Sequence, residues 1–180
     1  MRGVGEPSGP SEATTRLSLR EVFDAEVAFV FRVLRRLGVP ERDLDDAAQD
    51  VFVVVHRRLP SFEGGLSLRA WLFGIARRVA LARRRRASQR FEHLDNEAHG
   101  AATDVGNEEQ IAARALLERA LAVLDAPKRE VLFLYELEGM PMHEVAQAVG
   151  CPLQTAYSRL RAARALVRSE LEQLLQRKTS

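Results

Sequence analysis

The chain has 180 residues, 46% of them hydrophobic and 29% charged, which indicates a packed globular protein and excludes a wholly disordered one. Its 27 Lys and Arg nearly cancel its 25 Asp and Glu, so the placement of charge carries more information than the formal +2. Cys151 is the only cysteine and His56, His93, His99 and His143 are scattered, so neither a disulfide nor a metal site is expected, and no cofactor is implied.

The opening stretch, MRGVGEPSGPSEATT, is rich in Gly, Pro and Ser and lacks the apolar core of a signal peptide. Residues 1–16 are therefore expected to be a disordered tail. No apolar run approaches the roughly 18 residues of a membrane span, so a cytoplasmic protein without membrane insertion is expected. From Leu17 to Leu37, Phe23, Val27, Val30, Phe31, Leu34 and Leu37 recur at steps of three and four, which predicts a helix ended by Gly38 and Pro40. A second helix is predicted over 43–59, with Leu44, Ala47, Ala48, Val51, Phe52 and Val55 inward and Pro60 as its stop. The segment PSFEGGLS reads as a loop, and Ser67 is placed to cap a third helix whose inner face is Leu68, Leu72, Ile75 and Val79.

The composition then changes. Leu66 to Phe91 holds eight arginines and no acid, whereas Glu92 to Gln110 holds six acids and no Lys or Arg. The second stretch has no apolar period and reads as a solvated linker, assigned to 91–108 between domains at 17–90 and 109–176. Beyond it a helix is predicted over 111–124 with Ile111, Leu117, Leu121 and Leu124 inward. Asp125 and Pro127 signal the next helix, through Val131, Leu134 and Tyr135 to Gly139. A short helix with Met142, Val145, Ala146 and Val149 on one side follows. After the turn Gly150-Cys151-Pro152 comes a longer helix with Leu153, Ala156, Leu160, Ala163 and Val167 inward. Short helix, glycine turn, longer helix is the helix-turn-helix pattern. The expected fold class is all-α, with two small helical domains on a flexible acidic linker.

Three surfaces remain after the core stripes are assigned. The last helix turns outward Thr155, Tyr157, Ser158, Arg159, Arg161 and Arg164, residue types that read base edges and grip phosphates in a major groove. The segment R-A-W-L-F-G-I-A-R-R-V-A-L-A-R-R-R-R sets Trp71 and Phe73 among arginines, as a surface for single strands does. Asp46, Gln49 and Asp50 are helical neighbours off the apolar stripe and form an acidic ledge suited to a basic protein. An operator-binding regulator that never engages a polymerase is the rival reading, but it requires neither the ledge nor the arginine-rich first domain. A recombinase is excluded for want of a nucleophile-base pair, a metal carboxylate cluster or a phosphate loop, so no enzyme activity is expected.

These residues resemble the extracytoplasmic-function (ECF) group of bacterial RNA polymerase sigma factors, over nearly all of Leu17 to Leu174. The matching motifs are D-D-A-A-Q-D-V-F (Asp45 to Phe52), W-L-F-G-I-A-R (Trp71 to Arg77), R-E-V-L-F-L (Arg129 to Leu134), E-G-M-P-M-H-E-V-A (Glu138 to Ala146) and T-A-Y-S-R-L (Thr155 to Leu160). The resemblance implies a transcription initiation factor that binds core RNA polymerase at the clamp helices of the largest subunit and at the flap. It also implies promoter DNA as a partner and an anti-sigma factor as a regulator. By position it puts Asp46, Gln49, Asp50 and Phe52 on the polymerase. It puts Ser61, Phe62, Glu63 and Ser67 around a flipped minus-ten base. Arg69, Trp71, Arg77, Arg78, Arg83, Arg84 and Arg85 fall along the minus-ten strand, and Thr155, Tyr157, Ser158, Arg159, Arg161 and Arg164 on the minus-thirty-five duplex. His56, Arg78, Ala82, Ala156, Tyr157 and Ala162 depart from the usual residues, which leaves the class intact and the promoter sequence open.

Overall fold

A computed structural model describes residues 17–90 and 108–179. The tail expected over 1–16 and nearly all of the expected linker lie outside the described residues. Those described are helical, with no strand: α1 (Leu19–Arg36), α2 (Leu44–Arg58), α3 (Leu68–Arg90), α4 (Glu108–Ala122), α5 (Ala126–Leu132), α6 (Met142–Val149) and α7 (Leu153–Thr179).

Local chemistry explains the boundaries. Ser18 and Glu21 form a capping box on α1: the Glu21 N–H donates to Ser18 Oγ at 3.2 Å, and the Ser18 N–H donates to Glu21 Oε2 at 2.8 Å. Ser67 Oγ accepts from the Ala70 N–H at 3.2 Å and starts α3. Asp125 caps α5 by accepting from the Lys128 N–H at 2.9 Å. Gly150 ends α6 at φ 69°, a left-handed conformation that an L side chain resists, and so sets the turn into α7. Between α5 and α6 the chain widens into a π turn at Phe133–Leu137, which the periodicity did not foretell.

α1, α2 and α3 form the first lobe. The α2 stripe is buried as expected, from Leu44 through Val55. Phe29, Leu34, Leu72, Phe73 and Ile75 are almost fully buried, and each such side chain contributes about 1.5–3 kcal/mol of transfer free energy. In the second lobe α4, α5 and α6 all pack on α7. Several inward assignments shift. Phe23 is exposed and lays its ring on Phe52 at 4.7 Å, so it covers the core edge instead of filling it. Leu117 and Leu153 are exposed, because α4 and the first turn of α7 each face too few neighbours to cover them. Phe73, read as part of an aromatic surface, is 1% exposed and belongs to the core.

The two lobes are packed together. Val131, Phe133, Leu134, Met140, Met142 and Val145 share one continuous apolar cluster with the first-lobe core, and α3 packs along α6. Two ion pairs cross the boundary. Arg32 of α1 donates from Nε and Nη2 to the two carboxylate oxygens of Glu138, both at 2.7 Å, and Arg77 of α3 donates to Glu130 at 2.9 Å. Arg36 adds a cation–π contact, 5.9 Å from the Phe133 ring centre.

Candidate nucleic-acid interface

Asp46, Gln49 and Asp50 are exposed on one side of α2, because Ala47, Ala48 and Val51 turn inward between them. Asp50 is already engaged: Arg83 of α3 donates to its Oδ2 from Nη2 at 2.6 Å and from Nε at 3.0 Å. The ledge and the basic helix are thus one connected surface. Phe52 lies beneath the ledge rather than on it, 8% exposed under Phe23.

The loop between α2 and α3 is exposed at Ser61, Glu63, Gly64 and Gly65. Ser61 Oγ donates to the Arg58 carbonyl at 2.9 Å and Ser67 caps α3, so both serines shape the loop. Phe62 and Trp71 are half-buried, with ring centres 4.8 Å apart, and form an aromatic step at the base of the loop. Trp71 therefore packs on the core and also keeps an outer edge.

The arginines of α3 fall into two groups. Arg69 is held by Glu26 at 2.9 Å and lies 5.3 Å from the Phe29 ring centre, Arg77 by Glu130 and Arg83 by Asp50. Arg78, Arg84 and Arg85 are exposed and, among the described residues, have no carboxylate partner. Together with Arg86, which is also exposed and has no carboxylate partner among the described residues, these three offer guanidinium groups without first breaking a pair.

On α7, Tyr157, Ser158 and Arg161 are exposed, Thr155 and Arg159 are half-buried, and Ala156, Leu160 and Ala163 anchor the helix from beneath. Ser158 Oγ donates to the Thr155 carbonyl at 2.9 Å, a bond local to the helix. Arg164 faces away from this row: it donates to Glu136 at 2.7 Å and stacks 5.7 Å from the Tyr135 ring centre. Behind it an apolar groove of about 1010 Å³ runs between α4, the π turn and α7, lined by Leu117, Leu121, Leu132, Leu137, Leu171 and Leu175. The sequence reading missed this groove and the residues Glu26, Arg32, Glu130, Glu136 and Glu138. No local pattern marks a pair 106 positions apart such as Arg32 and Glu138.

Glu138 is the one buried charged side chain among the described residues, and the hydrogen bond from Arg32 satisfies both its oxygens while raising the Arg32 pKa above its ordinary value. No helix among the described residues is long and apolar enough to cross a membrane.

Comparison with known proteins bears on these surfaces. The family model for Sigma-70 region 2 matches residues 22–90, and that for Sigma-70 region 4 matches residues 114–167. The chain is 36% identical over 149 residues to the RNA polymerase sigma factor CnrH of Cupriavidus metallidurans, covering 77% of this chain and 78% of that protein. It is 30% identical over 151 residues to the ECF RNA polymerase sigma-E factor of Escherichia coli K12, with 77% and 79% covered. Among solved structures, CnrH in complex with the cytosolic domain of CnrY superposes with a TM-score of 0.62 at 28% identity, covering 86% of this chain and 87% of that one. The sigma factor RpoE of Bartonella quintana in complex with the anti-sigma factor NepR gives 0.61 at 27% identity, with 83% and 96% covered. The order of the two matched regions, their spacing and the helical fold agree, and the chain belongs to the ECF family of RNA polymerase sigma factors, which direct transcription initiation.

Proposed function

We propose that this sigma factor divides promoter recognition between its lobes, 17–90 and 109–176. The ledge of Asp46, Gln49 and Asp50 engages the polymerase clamp, with Phe52 bracing α2 from the core. Phe62, Glu63 and Trp71 receive the unstacked minus-ten base in a loop shaped by Ser61 and Ser67. Arg78, Arg84 and Arg85 track the strand backbone, joined by Arg69, Arg77 and Arg83 once their carboxylates are released. Thr155, Tyr157, Ser158, Arg159 and Arg161 face the minus-thirty-five duplex, while Arg164 holds α7 against Glu136. The leucine groove of the second lobe receives an apolar segment of a protein partner, the polymerase flap or an anti-sigma factor of the kind seen with CnrH and RpoE.

The observation that carries this reading is the continuity of an exposed acidic ledge with an arginine-bearing helix, joined through Asp50 and Arg83. One element meets protein and the next meets nucleic acid, which a simple operator-binding regulator does not need. Run-off transcription with purified core polymerase is the test. D46N/Q49A is expected to lose core binding and transcript together while keeping its helical circular dichroism. Operator binding without any transcript from the parent protein would support the rival regulator.

A further inference from the structure

We propose that the cavity lined by α1, α3 and α5 binds a nucleotide, with its phosphates held by arginines and its base laid on apolar side chains. The cavity has a volume of about 920 Å³, within the range of roughly 300–1,000 Å³ that small-molecule sites occupy. Five arginines line it: Arg36 at the end of α1, Arg42 in the turn before α2, Arg77 and Arg84 on α3, and Arg129 on α5. Both of its glutamates are already engaged. Glu41 is held at 3.0 Å by Arg35, which lies outside the cavity, and Glu130 is held at 2.9 Å by Arg77. Arg36, Arg84 and Arg129 have no carboxylate partner among the described residues, and Arg42 has only a 4.0 Å contact with the neighbouring Asp43. Arg129 is fixed in place by donating from Nη2 to the Leu124 carbonyl at 2.7 Å.

A concave surface with excess positive charge concentrates anions more than a flat arginine face does, because its low-dielectric walls focus the field. Guanidinium forks match phosphate oxygens in pairs. Guanidinium groups spread over three elements suit a chain of two or three phosphates better than a single one. Apolar residues complete the site. Leu81 is 40% exposed on α3 and Leu37 is half-buried, and with Phe133 they turn apolar surface to the cavity. A heterocyclic base covers such surface, which a bare phosphate leaves wet. Arg36 stacks 5.9 Å from the Phe133 ring centre, so the cationic and apolar sides meet there. Arg77 and Arg84 also belong to the row assigned above to the minus-ten strand. A bound nucleotide and the strand thus draw on the same two guanidinium groups, and each weakens the other by the same factor. The competition rests on the minus-ten reading; the nucleotide site itself does not.

The test uses the full chain and anthraniloyl-labelled ADP, followed by fluorescence anisotropy. Saturable binding with a Kd below about 1 mM is expected, reversed by unlabelled ADP. Pyrophosphate should displace the probe less well than ADP does, because it lacks the ring; equal displacement overturns the apolar half of the site. R36Q/R42Q is expected to weaken binding about tenfold or more, since each lost group is a charged partner of phosphate. L81E, which sets a carboxylate in the cavity, is expected to weaken it similarly. R57Q/R58Q removes the same charge from exposed arginines of α2 outside the cavity and should bind as the parent does. Circular dichroism monitors folding in each variant. No binding of ADP by the parent overturns the site, and so does an equal loss in R57Q/R58Q, which marks general attraction between charges. Saturating ADP is expected to weaken a short labelled single strand about tenfold. Unchanged strand affinity with ADP bound refutes the minus-ten placement of Arg77 and Arg84 and leaves the nucleotide site standing. Strand binding that falls in R36Q/R42Q, with no ADP binding by the parent, assigns the cavity to nucleic acid and overturns the nucleotide site.

Discussion

Replacing Asp50 by Ala separates two things this side chain does, and the structure sets the size of each. Its carboxylate holds Arg83 through two hydrogen bonds, but the side chains are 50% and 27% exposed. A pair this exposed contributes about 0.2–1 kcal/mol to folding. D50A should therefore lower the melting temperature by no more than about 2–4 °C in a chain of this size. If Asp50 meets the polymerase as a charged hydrogen-bonding group, its loss removes about 1.5–3 kcal/mol of binding, or roughly 10- to 100-fold in affinity. Urea denaturation and anisotropy with labelled core polymerase measure the two quantities on the same preparations. R83A is the control, since it frees Asp50 without removing it, and it should disturb stability as D50A does while leaving core affinity close to the parent's. Unchanged core affinity in D50A refutes the ledge contact. Equal losses in D50A, R83A and the double variant would show that Asp50 only positions Arg83.

Other surfaces make separate predictions. R78Q/R84Q removes two guanidinium groups that have no carboxylate partner, so open-complex formation should weaken on every promoter and the slope of log affinity against log salt should flatten by about 1.4, at roughly 0.7 per single-strand phosphate contact; a promoter-selective defect with an unchanged slope would mean base readout. Y157R and R161A should each select a different minus-thirty-five consensus from a randomised library, because a bidentate arginine–guanine pair discriminates by about 1–3 kcal/mol; R164A, tied to Glu136, should select the parental consensus with lower stability. Acid should weaken the fold through three carboxylates. Glu21 is held below its ordinary pKa chiefly by the Ser18 N–H, Glu41 by the Arg35 guanidinium and Asp125 by Lys128. A lowered folded pKa means stability that is present above the ordinary carboxylate range and is lost as pH falls through the lower value. The melting temperature should be level above about pH 5 and decline below about pH 4, with a shallower decline in E21Q/D125N; an identical acid limb in that variant would remove the caps from the explanation.

Much of this protein was legible in the chain itself, wherever the deciding interaction lies within a few residues. The α2 stripe from Leu44 to Val55, the Ser67 cap, the Asp125 and Pro127 start, and the glycine turn before α7 all came out where the periodicity put them. So did the exposure of Asp46, Gln49 and Asp50, since three and four residue steps decide which side of a helix the core claims. Tertiary structure decided the rest. Phe73 became core, and Leu117 and Leu153 became surface, because burial depends on what another helix covers and not on hydropathy alone. The same arginine-rich α3 that looked uniformly available is split by Glu26, Asp50 and Glu130, each brought from a different helix. Most of all, the closed boundary rests on Arg32 meeting Glu138 across 106 positions. Such a pair has no local signature, because a single charge every few turns is what any solvated helix carries, and only packing of the lobes removes the water between them.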